Sequence, residues 1–293
     1  MLNAISLHSI VPVRTEAREG AEQSSQMLFG ETCTILEHSL PSREGAGVGF
    51  YLIRLDADGQ EGWVDAKMIT PMSDKEYRAY RKAYKTAACV CFPMTYVVSE
   101  NNGQTIPLTA GTKLTNYQVQ TLNGASTARF EVLGVGFRID PNMVTAQPLT
   151  LNEQNLQQAV RFFLNTPYLW GGKNALGMDC SGFTQTILSL FGKHLLRNAS
   201  EQATQGRAIN NLRNARAGDL VFFDHHDGRI SHVGIVLSPS PSNLSPFALT
   251  IVHCSGRVKV EKLDENGIFS IEKTDENNPN GQYTHHLVAI RRV

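Results

Sequence analysis

Short apolar runs dominate the first part of the chain. From Ile5 to about Ile69 the stretches SIVPVR, CTILEH, FYLIRL and GWVDAKMI are separated by Gly, Pro, Asp and Ser. That spacing predicts a small barrel of short strands. The segment SDKEYRAYRKAYKTAA that follows is rich in helix formers, opens on a Ser73 cap and puts Tyr77, Tyr80 and Tyr84 on one face, so it reads as a connecting helix. A second β-rich stretch runs from Cys89 to about Val144, with turns expected at Asn102-Gly103 and Asn123-Gly124 and strands such as FEVLGVGFRI.

At Leu151 the periodicity changes. LNEQNLQQAVRFFLNTPY carries Leu156, Val160, Phe163 and Leu164 at helical spacing. SGFTQTILSLFG repeats the pattern with Phe183, Ile187, Leu190 and Phe191, and Gly192 supplies a C-terminal stop. The segments DLVFFD, HVGIVL, LTIVHCS, VKVEKL and HLVAIRRV after it are strand-like. Helices followed by an antiparallel sheet make an α+β domain. The expected division is therefore a small β domain at 1–72, a connecting helix and second β domain at 73–150, and an α+β domain at 151–293.

Composition narrows the function classes. The 293 residues are 41% hydrophobic and 18% charged, the range of a globular protein. Lysine plus arginine equals aspartate plus glutamate, 27 against 27, so no general field draws in nucleic acid or an anionic surface, and a site-specific ligand is expected. No apolar run reaches the length of a membrane span. The segment MLNAISLHSIVPVR has no basic region leading into an apolar one, so export is not indicated, and the compartment stays open: cytoplasmic if this N-terminus is native, cell envelope if a signal or lipid anchor was removed. The oligomeric state is open as well.

The five cysteines are Cys33, Cys89, Cys91, Cys180 and Cys254, an odd number without paired CxxC spacing, which argues against a disulfide framework or a zinc site. Cys89 and Cys91 read as small core residues. Cys180 differs, because it follows the turn-forming WGGKNALGMD and opens a helix. A helix N-terminus offers unpaired N–H groups and a dipole that favour a thiolate. A thiolate mechanism further needs a base on a separate element and a third group to fix the imidazole tautomer. His232 begins one strand and His253 lies in the next, so antiparallel pairing brings both rings to one face. Cys254, next to His253, should face the other way. His225 and His226 in FDHHDGR read as a solvated loop, and neither a metal nor a cofactor is expected.

The motifs PYLWGG, GMDCSGF, ARAGDLVFF, ISHVGIVL and IVHCSG, in this order, resemble the NlpC-type (NlpC and p-sixty) cell-wall peptidases, papain-like enzymes with a circularly permuted order of elements. The resemblance implies Cys180 as nucleophile, His232 as base, His253 as the residue that orients it and Tyr168 as a hydroxyl that helps hold the oxyanion. It places Asp179 and Ser181 at the substrate groove. An aspartate there opposes thiolate formation, so Asp179 is assigned to backbone or substrate contacts. Trp170 is either a groove wall or a core aromatic.

The N-terminal run VPVRTEA, SQMLFGETCTILE and EGWVDAKMI resembles a bacterial SH3-type domain, and the length and turns of the second β stretch suit another such barrel. Relatives with this arrangement cut small muropeptides between γ-linked D-glutamate and the diamino acid, several of them needing a free N-terminal L-alanine. Two departures leave that requirement open. Asn198, in LLRNASEQ, stands where relatives tend to carry an amine-binding aspartate, and Gln60 precedes Gly62-Trp63 where they often have a tyrosine. Glu31 either supplies compensating charge or is a solvated turn residue. The leading expectation is an endopeptidase on peptidoglycan stem peptides or muropeptides, with the region before Leu151 acting as a specificity device more than a wall anchor. The alternatives are a non-catalytic peptidoglycan-binding protein and an amidase or acyltransferase on another amide or ester.

Overall fold

A computed structural model of the chain describes residues 2–39, 49–122, 125–239 and 249–293. It divides into two compact units, Met1–Pro148 together with Trp170–Ala175, and Leu149–Leu169 together with Leu176–Val293. Residues up to Pro148 lie in the first unit, and Trp170–Ala175 of PYLWGGKNA returns to it.

In the first unit an antiparallel sheet runs in the order Gln23–Leu28, Ile10–Arg14, Glu61–Asp65, Phe50–Leu55, Thr32–Ser39, Leu2–Ile5, Thr70–Met72. Its alternate residues Ala4, Val11, Val13, Met27, Ile53 and Val64 form one core. Ser73 caps the helix Asp74–Tyr84 with a reciprocal box to Glu76. Of its three tyrosines, Tyr80 is buried and donates to the Gly30 carbonyl at 2.9 Å, while Tyr77 donates to Asp56 at 2.8 Å. The second β stretch forms a five-stranded and a three-stranded sheet. Gly103 adopts φ +72° in the hairpin between Met94–Ser99 and Thr105–Thr109, as an Asn-Gly turn requires. Asn123-Gly124 lies outside the described residues. Ile5, Phe29 and Met72 from the first stretch share a core with Val97, Phe130 and Phe137 from the second, which explains why the two form a single unit.

The second unit opens with the helix Glu153–Val160, capped by Asn152. The helical pattern predicted as far as Tyr168 stops early, and Leu164 is exposed. Asn165 sits at φ +69° and Pro167 follows, biasing Thr166 away from helical geometry; Asn165 and Thr166 instead exchange backbone hydrogen bonds with Val258. The helix Cys180–Ser189 buries Phe183 and Ile187 and is followed by Gly192 at φ +71°, where the chain turns away.

Antiparallel strands Leu220–Asp224, His232–Pro239, Leu249–Ser255, Arg257–Asp264, Gly267–Ser270 and Gln282–Arg292 pair in sequence, and the last pairs with both Gly267–Ser270 and Leu220–Asp224. The sheet therefore closes into a six-stranded barrel. Val221, Phe223, Val236, Ile251, Leu263, Ile268 and Ile290, drawn from all these strands, fill its interior. Residues of the opposite parity, Phe222, Val233, Ile235 and Val252, are fully buried on the outer face, where the Cys180–Ser189 helix packs on the strands of His232 and His253.

Glu31, one candidate site residue, lies in the first unit and is buried. Its carboxylate accepts from the Leu28 amide at 2.8 Å and pairs with the Lys173 ammonium at 3.1 Å. The reading of Glu31 as a solvated turn residue is thereby corrected: the Lys173 charge holds it inside. The Gln26 side-chain oxygen accepts from the Lys173 amide at 3.0 Å and from Asn174 Nδ2 at 2.9 Å, which fixes the segment that carries the lysine. Removing one partner of such a pair leaves an uncompensated buried charge, at a cost of about 3 kcal/mol or more. Lys173→Met should therefore lower the denaturant midpoint of the first unit markedly. The double variant E31Q/K173M should lose less than the two single losses added together; an additive pair would show that the two charges do not interact.

Candidate active site

Cys180 occupies the first position of its helix, directly after the Asp179 cap, and is buried. The Asp179 carboxylate accepts from the Gly182 amide at 2.7 Å and from the Ser181 hydroxyl at 3.2 Å. Both of its oxygens also bind the Arg197 guanidinium, at 3.0 and 2.5 Å, and Arg197 is only 1% exposed. Ser181 is buried and accepts from Arg197 at 2.9 Å. The structure thus places Asp179 and Ser181 in an internal network that fixes the start of the helix, and this fits the backbone half of the role expected for Asp179. Arg197 carried no signal as a site residue in the sequence.

The amide N–H groups of Val233 and Ser181 lie near enough to the Cys180 sulfur to favour its thiolate. Val233 adjoins His232 in the chain, so the sulfur lies against the start of that strand. Burial nevertheless pushes the Cys180 thiol up to about 11, Asp179 adds to the rise, and the two amides with Arg197 only partly offset it. The N–H groups of the helix start are in place and favour the thiolate, while desolvation of the buried sulfur works against them.

Strand pairing sets Gly234 opposite His253, so His232 lies diagonally across from it on the same inward face. His232 Nε2 and His253 Nδ1 are 2.8 Å apart, with the rings nearly perpendicular at 83°. Gly234 makes room for this crossing, since a Cβ there would come within 2.9 Å of the His253 Cβ and 2.7 Å of Ile251. Burial, followed by the neighbouring His253 and His285, holds His232 well below the ordinary imidazole value. His253 is lowered by burial too, against an opposing pull from Glu261.

Two partners of these rings were missed in the sequence. Glu261, on the next strand, accepts at 2.8 Å from His253 Nε2. Burial works to raise its carboxyl, but the hydrogen bond from His253 and the Lys259 charge hold it down at about 2. Lys259 Nζ lies 3.1 Å from the second Glu261 oxygen. His285 stacks on His232 with centroids 4.3 Å apart, and burial lowers it to about 4. Strand parity was the available signal for Glu261, because a hairpin at Ser255-Gly256-Arg257 puts residues 259, 261 and 263 on the face of His253.

Tyr168 is half-buried, bridges to Met178 through its backbone, and has its hydroxyl raised by burial and by the nearby Cys180. Cys254 is fully buried, donates to the Met178 carbonyl at 3.1 Å and leaves the His253 face, as strand alternation requires. Asn198 is exposed at the start of the short helix Ala199–Gln202 and bonds Glu201 through Nδ2 at 3.0 Å. Trp170 belongs to the first unit, is 59% exposed and accepts on its carbonyl from Gln23 at 3.1 Å. A core role for Trp170 is therefore corrected. Gln60, also in the first unit, donates to the Glu61 carbonyl at 3.1 Å. His225 and His226 are exposed, their rings lying beside His285 and His286, and no group of three metal-ligating side chains gathers among the described residues. Also among the described residues, no helix is long and apolar enough to cross a membrane. Cys180, His232, His253 and Tyr168 all lie in the second unit, while Glu31 and Trp170 lie in the first.

Residues 165–287 match the NlpC/P60 family, and residues 13–69 match the bacterial dipeptidyl-peptidase Sh3 domain. The chain is similar to the gamma-D-glutamyl-L-lysine dipeptidyl-peptidase of Bacillus subtilis, at 39% identity over 95 residues, which is 32% of this chain and 32% of that relative's length. It is also similar to the Bacillus cereus protein of the same name, at 24% identity over 248 residues, covering 80% of this chain and 68% of the relative. A crystal structure of an NlpC/P60 family protein from Bacillus cereus shares the fold over 99% of both chains, with a TM-score of 0.72 at 16% identity.

The raised thiol and the lowered imidazole each favour the neutral form near pH 7. A raised thiol pKa means little thiolate at neutral pH and more as pH climbs toward about 11. Alkylation of Cys180 by iodoacetamide, followed by mass spectrometry of the modified peptide, should accelerate by roughly tenfold per pH unit from 7 to 10. A rate that is flat across that range and falls only in acid would instead mean a preformed thiolate–imidazolium pair.

Proposed function

We propose, from the premise that the chain belongs to the NlpC/P60 family through its residues 165–287 and carries a bacterial Sh3 domain at residues 13–69, that it is a cysteine peptidase cutting the bond between the γ-carboxyl of D-glutamate and the following diamino acid in peptidoglycan stem peptides or muropeptides. The observation that carries this reading is the placement of Cys180 at a helix start, with its sulfur near the amide next to His232, and of His232 and His253 within 2.8 Å of each other on adjacent strands. The names of the two Bacillus relatives support the bond type.

In this reading the Cys180 sulfur attacks the γ-glutamyl carbonyl carbon as its proton passes to His232. The sulfur–carbon bond forms, and the carbonyl π pair moves onto oxygen. The Cys180 amide, one of the unpaired donors of a helix N-terminus, and the Tyr168 hydroxyl stabilise that oxyanion. Collapse breaks the carbon–nitrogen bond, and His232 returns its proton to the departing amine. Water, deprotonated by His232, then cleaves the thioester and restores the thiol. The buried pair of Asp179 and Arg197 holds the helix start that aims the sulfur. Asn198, Trp170, Ser181 and Glu31 are assigned to substrate specificity, either by direct contact or by holding the elements that make it. In the same reading a second SH3-like barrel follows the connecting helix, within the division 1–72, 73–150 and 151–293.

The test is incubation with the tripeptide L-alanyl-γ-D-glutamyl-diamino acid and mass spectrometry of the products. Release of the L-alanyl-D-glutamate dipeptide is expected from the intact chain and none from Cys180→Ala. His232→Ala removes the proton acceptor and should lower kcat/KM by roughly a thousandfold, whereas His253→Asn keeps an acceptor for His232 and should cost about tenfold. Failure to cut both this tripeptide and a disaccharide-linked stem peptide would overturn the reading.

A further inference from the structure

The inner face of the barrel carries a carboxylate, Glu261, that takes no part in the proposed proton transfers. Glu261 is 8% exposed, and its strand position steps diagonally from His253 just as His253 steps from His232. The three side chains thus form a continuous line across three neighbouring strands, with contacts of 2.8 Å at both joints. Each atom along this line has a settled role once one end is settled. An ionised carboxylate only accepts, so the proton between Glu261 and His253 belongs to His253 Nε2. Neutral His253 then has a lone pair on Nδ1, and the proton between the two rings belongs to His232 Nε2. Neutral His232 is left with its lone pair on Nδ1, the one nitrogen not engaged by His253.

We propose that Glu261 is a positioning residue that fixes the tautomers of both His253 and His232, so that His232 presents the Nδ1 lone pair to Cys180. Without the carboxylate, His253 can flip or change tautomer and donate from Nδ1, which forces His232 to turn its own lone pair inward. Glu261 also favours the imidazolium that His232 becomes during attack, because its negative charge acts through the shared ring. Lys259 keeps the carboxylate in place from the other side, and Glu272 in turn lies 3.6 Å from Lys259. The groups facing His232 and His253 are therefore Glu261, Lys259, His285 and His225, and Glu261 is the one that supplies negative charge.

This role rests on the proposed nucleophile and base, so the experiment includes readouts that need no peptide. Histidine-labelled protein examined by long-range proton–nitrogen NMR should show Nε2-protonated tautomers for His232 and His253 in the wild type. Glu261→Gln, close in shape and able either to accept or to donate, and the paired variant K259M/E261M, which removes both charges together, should show mixed tautomers. In both variants the alkylation of Cys180 at pH 8 should rise by several-fold, because a His232 tautomer that donates from Nδ1 toward the sulfur favours the thiolate. If the wild type cuts the tripeptide, kcat in the variants should fall by about ten- to a hundredfold with KM little changed, and the acid limb of kcat/KM should move to lower pH, because a base that loses a nearby negative charge protonates less readily. Wild-type tautomers and wild-type alkylation rates in the folded variants would overturn the positioning role whatever the peptide substrate proves to be. A wild type inert toward the peptide, with the tautomers shifted in the variants, would instead overturn the substrate reading and keep this one.

Discussion

Closure of the sheet in the second unit is the constraint on which the site depends. Because Gln282–Arg292 pairs with strands at both ends of the series, the sheet has an inside, and every alternate residue of six strands must be accommodated there. Most of that space is filled by Val, Leu, Ile and Phe. The inward positions of three neighbouring strands instead carry His232, His253 and Glu261, whose polar atoms have little water to turn to and so bond one another. Burial raises the Cys180 thiol and lowers the imidazoles, so it favours the neutral form of each.

How far this was legible in the sequence depended on whether pattern and environment agreed. Cys180 was visible because a turn-rich segment ran directly into an amphipathic helix, and His232 and His253 because each stood at a readable place in a strand. Glu261 was hidden by its own neighbours. VKVEKL suggests that the valines point inward, yet Val258 is buried on the outer face, Val260 is exposed, and Glu261 and Leu263 share the interior. The end of the helix begun at Glu153 was obscured in a similar way, because Leu164 continues the apolar spacing past the point where Asn165 and Pro167 turn the backbone aside. Pairing partners distant in sequence, such as Arg197 for Asp179 and Lys173 for Glu31, leave no local periodicity to detect.

These two buried ion pairs have different consequences. Asp179 uses its carboxylate both to cap a helix and to hold Arg197, so the geometry around Cys180 is tied to a charge drawn from a loop beyond the end of that helix. Such a pair contributes little net stability over a well-packed apolar substitute, and its value lies in specifying one arrangement. Gly234 works by the opposite means, since the absence of a side chain is what leaves His253 its place.

The segment Trp170–Ala175 has a consequence for inheritance. The chain enters the second unit at Leu149, returns to the first for this short excursion, and then re-enters the second. Gly171 there adopts φ +72° with the Gln23 carbonyl where a Cβ would stand, and Lys173 meets the Glu31 carboxylate. A gene that acquired the second unit alone would therefore carry a stretch of sequence shaped for a partner it no longer had, complete with an ammonium group lacking its counterion. Recombination cannot separate the two units at one point without rewriting that stretch, so substitutions at Gln23, Gln26 and Glu31 are expected to track those at Gly171, Lys173 and Asn174 through descent.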